Sequence, residues 1–100
     1  MQRTLVIDSL QKIGQTVRLC GWVDSKRDHG KVTFIDLRDR SGKIQAVGIG
    51  GKLSDLSTES VVELTGQINQ RGEKMINPNL PTGSVEIFVE EYKILNKANE

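Results

Sequence analysis

The sequence predicts an all-β barrel of five strands, and three observations carry that prediction. Short apolar runs alternate with polar residues at period two along most of the chain. Turn residues punctuate the runs: Asp28-His29-Gly30-Lys31, Arg40-Ser41-Gly42 and the glycines at 48, 50 and 51. One segment between the third and fourth runs has room for a short helix. Three strands, a short helix and two strands is the element order of the OB-fold, a partly open Greek-key barrel.

Each element has its own signal. Residues 1–15 form an N-terminal segment in which Ile7 to Gly14 suits a short helical turn, with Ser9 as candidate cap and Gly14 as stop. The barrel is expected over 16–95. From Thr16 to Arg27, Val17, Leu19, Gly21 and Val23 share one face; Arg18, Cys20, Trp22, Asp24 and Lys26 share the other. The turn at 28–31 makes a hairpin with the run Val32–Asp39, where Thr33, Ile35 and Leu37 oppose Phe34, Asp36 and Arg38. Lys43 to Ile49 is the third strand, with Ile44 and Ala46 inward and Gln45 outward. Lys52 to Ser57 is long enough for about one and a half helical turns. Glu59–Gln70 and Ser84–Tyr92 are the fourth and fifth strands, joined by a long loop rich in Asn, Pro and Gly. In the fifth strand Glu86 and Phe88 lie on the polar phase.

Bulk properties narrow the class. One hundred residues make one domain with one modest core, 1–100, its last residues 96–100 reading as the start of a linker. No apolar run approaches the ~20 residues of a membrane helix. Cys20 is alone, which excludes an internal disulfide and suits a reducing cytoplasm. Net charge is +1, but residues 18–43 hold seven basic side chains against four acidic. A phosphate-facing surface belongs on that half; an ordinary mixed-charge surface is the plainer reading.

No catalytic or metal site is expected. His29 is the only histidine and sits in a turn, so neither a metal set nor a Ser/His/Asp set assembles around it. The glycines at 48–51 lack the pattern of a phosphate loop. A barrel buries one phase of each strand, which leaves Phe34, Gln45 and Glu86 outward. An aromatic there suits base stacking. Gln45 can donate and accept, and Glu86 can only accept, so Glu86 suits the donor edge of guanine. Lys26, Arg27 and Arg38 could hold phosphate or base. Alternatively, Phe34 covers the barrel beneath the N-terminal segment, the polar residues are merely solvated, and Trp22 packs between barrel and N-terminal segment.

Several runs together resemble one family. Val17-Arg18-Leu19-Cys20-Gly21-Trp22-Val23, Lys26-Arg27-Asp28-His29-Gly30, and Phe34 through Gly42 with Gln45 following are similar to the N-terminal domain of aspartyl-tRNA synthetases. Asn77-Pro78-Asn79-Leu80-Pro81-Thr82-Gly83 resembles the bacterial branch, and Ile94 to Ala98 resembles the end of that domain. The resemblance implies an anticodon-binding OB-fold. It implies that Phe34 stacks the central uracil and that Gln45 and Glu86 read bases, Glu86 facing the first, a guanine. It also implies that Arg27 and the 28–30 turn approach the anticodon, that Asn77 lies in the loop nearby, and that His29 occupies a position where strict and relaxed enzymes differ. Met75 stands where some members carry a polar residue, and the stretch Gly48–Thr58 is shorter than in many.

The family's ATP- and aspartate-binding motifs are absent, so this chain is expected to be no enzyme alone and to hold no cofactor; ATP and Mg belong to the catalytic domain. The expected partner is the aspartate tRNA anticodon loop, with no membrane, a monomeric domain and a homodimeric parent. The other class of reading is a freestanding or engineered OB scaffold that binds a protein, or a generic single-stranded nucleic acid.

Overall fold

Alternating burial decides the architecture. The computed structural model describes residues 2–96. Six strands form: β1 (Arg3–Thr4), β2 (Thr16–His29), β3 (Val32–Asp39), β4 (Gly42–Ile49), β5 (Val61–Gln70) and β6 (Val85–Asn96). The last five are the expected barrel strands. β1 is a two-residue parallel addition to β2, too short to carry any periodicity. The barrel runs β2-β3-β4-β6-β5 and closes through a β2–β5 pairing. The aliphatic phases fill it: Leu19, Val23, Ile35, Leu37, Ile44, Leu64, Ile68 and Ile87 are fully buried. Each such side chain contributes about 1.5–3 kcal/mol relative to exposure.

β6 runs past Tyr92 because Tyr92 and Ile94 pair with Leu64 and Val62. Asn96 is therefore strand, not linker; the rest of the expected linker lies outside the described residues. β5 starts at Val61 rather than Glu59, which sits at φ 69° and cannot extend the strand.

Within the barrel β2 serves two neighbours, β5 with its first half and β3 with its second. It turns between them at a bulge that inserts Asp24 between Val23 and Ser25. A bulge bends a strand and resets its phase. Simple alternation puts Lys26 on the outward face, and the bulge overturns that. Lys26 lies opposite buried Ile35, while Arg27 lies opposite Phe34 on the outward face. Gly21 sits where β2 crosses close to β3; a methyl group there would collide with the Arg38 carbonyl.

The expected helix between β4 and β5 does not form. Residues 51–55 are consecutive turns, with backbone bonds such as Ser54 N to Gly51 O at 3.1 Å and Leu56 N to Leu53 O at 3.1 Å. Gly50, Gly51 and Leu53 all take positive φ, which an α-helix forbids. The segment still plugs the barrel end, through fully buried Leu53 and Leu56. The Lys26 ammonium holds it, donating to the carbonyls of Ser54 and Leu56, the latter at 2.9 Å. Tyr92 donates to Asp55 at 2.6 Å, and that bond, with partial burial, raises the Tyr92 pKa.

The N-terminal helical segment is a 3-10 helix, Val6–Gln11. Ser9 does not cap it; Ser9 is buried within it. The caps come from the β3–β4 turn: Val6 N donates to Asp39 Oδ2 at 2.9 Å and Ile7 N to Ser41 Oγ at 3.0 Å. Asp39 also accepts from Ser41 N at 2.7 Å. Asp39→Asn removes one of these acceptors and is expected to lower stability by about 1 kcal/mol in urea unfolding.

Candidate nucleic-acid interface

Five of the eight residues singled out from sequence come together on one face: Arg27 and His29 from β2, Phe34 from β3, Gln45 from β4 and Glu86 from β6. Phe34 lies opposite Val47, and Asp36 lies opposite Gln45. Gln45 in turn lies opposite Glu86, and Val47 opposite Phe88. Cross-strand neighbours on one face sit about 5 Å apart, so register alone makes Gln45 and Glu86 adjacent.

The side chains complete a chain of contacts. Arg27 Nη2 donates to Gln45 Oε1 at 3.1 Å, and Gln45 Nε2 donates to Glu86 Oε1 at 3.2 Å. Arg27 also pairs with Asp36 at 3.5 Å, and Asp36 accepts from Ser25 Oγ at 2.7 Å. This network fixes the Gln45 amide, its oxygen toward Arg27 and its nitrogen toward Glu86. Phe34 is half-buried rather than covered. His29 meets it edge-on, centroids 5.7 Å apart at 71°. The Arg27 guanidinium stands 5.9 Å from its centroid, within cation–π range.

A shallow cavity of ≈ 220 Å³ opens here, lined by Arg27, His29, Phe34, Gln45, Arg71 and Met75. A water's share of liquid is about 30 Å³, so the cavity has room for a flat ring. A larger groove of ≈ 660 Å³ runs under the N-terminal segment beside Arg3, Asp8 and Lys12, and no expected site residue lines it.

Two residues that sequence reasoning missed or set aside belong to this cluster. Arg71, the first residue after β5, stands 3.8 Å from Glu86 with a side chain only 10% exposed. Its Nε is buried without a hydrogen bond among the described residues. It follows directly on the Gln70–Val85 pair, two residues beyond Asn69, which lies opposite Glu86. Met75 is 62% exposed and supplies apolar surface at the edge of the shallow cavity.

Three expected residues stand apart. Lys26 is spent on the barrel plug. Arg38 shares the face of Phe34 and Asp36 but pairs with Asp24 at 3.7 Å. Lys43 meets Asp24 at 2.8 Å, and that bond, aided by Arg38, holds the Asp24 carboxyl below its ordinary pKa. Asn77 organises its own loop: its N–H donates to Gly83 O at 3.0 Å and its Oδ1 accepts from Asn79 N at 3.0 Å. Trp22 is half-buried and lines a groove with Arg3 and Leu95. Among the described residues no group of three acidic, His or Cys side chains could hold a metal ion. Among the described residues no helix is long and apolar enough to cross a membrane.

Comparison with known proteins agrees with the fold. A family model described as an OB-fold nucleic acid binding domain, of the tRNA anticodon type, matches residues 17–95. An aspartate–tRNA(Asp/Asn) ligase from Trichodesmium erythraeum is 47% identical over 91 residues, covering 84% of this chain and 15% of the ligase. The chain thus spans about a sixth of such relatives' length. Among solved structures, asparaginyl-tRNA synthetase from Pyrococcus horikoshii matches 98% of this chain and 23% of that one, with TM-score 0.78 and 25% identity. An OBody bound to hen egg-white lysozyme matches 98% of this chain and 99% of that one, with TM-score 0.78 and 26% identity.

Proposed function

The chain belongs to the anticodon-type OB-fold nucleic acid binding family, and on that premise we propose that it recognises the aspartate anticodon loop of tRNA for an aspartate–tRNA ligase. The observation that carries the proposal is the continuous contact from Phe34 through Arg27 and Gln45 to Glu86. It joins a stacking ring to groups that read base edges. The ring takes the central base, and Glu86 takes the donor edge of the first. Arg27 and Arg71 offset the charge of Glu86 and of an approaching phosphate.

Aminoacylation belongs to the larger ligase that relatives of this chain form, together with its ATP and Mg. The domain itself works without a cofactor, in the cytoplasm, as a monomer, and the parent is a homodimer. The relatives' names include both aspartate and asparagine tRNAs, so both loops belong in the test.

That test is a titration of this chain with an anticodon stem-loop carrying the aspartate triplet, beside asparagine and scrambled loops, at one fixed salt concentration. A clear preference for the aspartate over the scrambled loop is expected. Equal binding of both would make the face a generic RNA surface. The similarity to a lysozyme-bound OBody favours a second reading, a protein-binding OB face; absence of RNA binding altogether would bring it forward.

A further inference from the structure

Phe88 is an aromatic residue on the polar phase of β6, and it is 40% exposed. It does not serve the core: its strand neighbours Ile87 and Val89 do, at 0% and 1% exposure. Its place on the sheet is specific. Phe34, Val47 and Phe88 form one row across β3, β4 and β6, since Phe34 pairs with Val47 and Val47 with Phe88. The rings therefore start two strand spacings apart, roughly 10 Å, with the apolar Val47 between them.

The neighbouring row is polar: Asp36, Gln45 and Glu86. Glu86 lies two residues before Phe88 on the same face, a separation of about 7 Å. Each aromatic thus has an edge-reading partner one row away, Gln45 for Phe34 and Glu86 for Phe88. Lys52 adds a positive charge at the rim, donating to the Glu90 carbonyl at 2.7 Å, two residues beyond Phe88.

We propose that Phe88 is a second stacking platform, carrying the ring of the base whose edge faces Glu86. The inference rests on the base-reading assignment of this face and extends it. A carboxylate alone would fix one edge of a guanine and leave its ring free to swing. A ring beneath it fixes the plane, and stacking tolerates any base, so Glu86 supplies identity and Phe88 supplies affinity. The two face neighbours of the same strand act on one nucleotide.

The experiment uses the whole chain with Phe88→Ala, Phe88→Leu and Phe34→Ala. The probes are the aspartate stem-loop and two versions, abasic at the first or the central anticodon position. Phe88→Ala is expected to weaken the intact loop by roughly 5- to 150-fold, and Phe88→Leu by less. With the first base absent, wild type and Phe88→Ala should bind alike; with the central base absent, the difference should persist. Thermal unfolding of each variant, run beside the titrations, separates a loss of fold from a loss of contact. The proposal is overturned if Phe88→Ala binds the intact loop like wild type while Phe34→Ala loses affinity. It is also overturned if the Phe88→Ala loss survives removal of the first base. If neither variant loses affinity, the base-reading assignment of the face has failed, and this inference with it.

Discussion

Glu86→Gln is expected to leave the barrel folded and to cut affinity for the aspartate stem-loop by roughly 10- to 150-fold. Hydrogen bonds to a charged acceptor are worth about 1.5–3 kcal/mol, and each 1.4 kcal/mol is tenfold. Glutamine keeps the volume, and its oxygen can still accept from Gln45. What it loses is the charge and the second pure acceptor that the donor edge of guanine needs. Glu86→Ala is expected to do more. Arg71 stands 3.8 Å from Glu86 with a side chain only 10% exposed, and truncation leaves that cation without its carboxylate. The added cost to stability is about 1–3 kcal/mol, smaller than for a fully buried pair because Glu86 is 25% exposed. Urea unfolding beside the titration separates the two effects. A glutamine variant that keeps both affinity and triplet preference would remove Glu86 from the reading face.

Most of the barrel and the centre of its candidate site were legible because both follow from period-two alternation. Phe34, Gln45 and Glu86 fall on the outward phase of uninterrupted strand segments, so counting by twos finds the face they share; it does not show that neighbouring side chains cover Gln45, which is only 8% exposed. Lys26 defeats the same count. The Asp24 bulge resets the phase of β2, and no glycine or proline marks the bulge in sequence. The segment after β4 is a second such case. Lys52–Ser57 is polar enough and long enough for a helical turn, yet Leu53 takes φ 74° to drop its side chain into the barrel end. Burial of a leucine outweighs the local strain of about 1–2 kcal/mol, a tertiary decision that no local pattern records. Asp39 as the cap of the N-terminal 3-10 helix is a third case: donor and acceptor are 33 residues apart. Arg71 went unnoticed because it lies just outside a strand, where alternation says nothing.

Phe34→Ala is expected to weaken the aspartate stem-loop by roughly 5- to 150-fold, from the 1–3 kcal/mol of one base stack. The free protein already holds the ring in place. His29 meets it edge-on at 5.7 Å and the Arg27 guanidinium stands 5.9 Å from its centroid, so little side-chain freedom remains to be lost on binding. Removing the ring also removes a support of Arg27, which in turn orients Gln45. Salt dependence distinguishes the ring's effect from a charge effect. Stacking releases no counterion, so Phe34→Ala should lower affinity by the same factor at every salt concentration. Arg27→Ala should instead reduce the slope of log affinity against log salt by about 0.7, the value for one single-strand phosphate contact. Titrations over a range of salt concentrations give both quantities. A Phe34→Ala variant that binds like wild type would mean that the base rests elsewhere on this face. A Phe34→Ala variant with a shallower slope would mean that the ring acts by holding Arg27 on a phosphate, not by carrying a base.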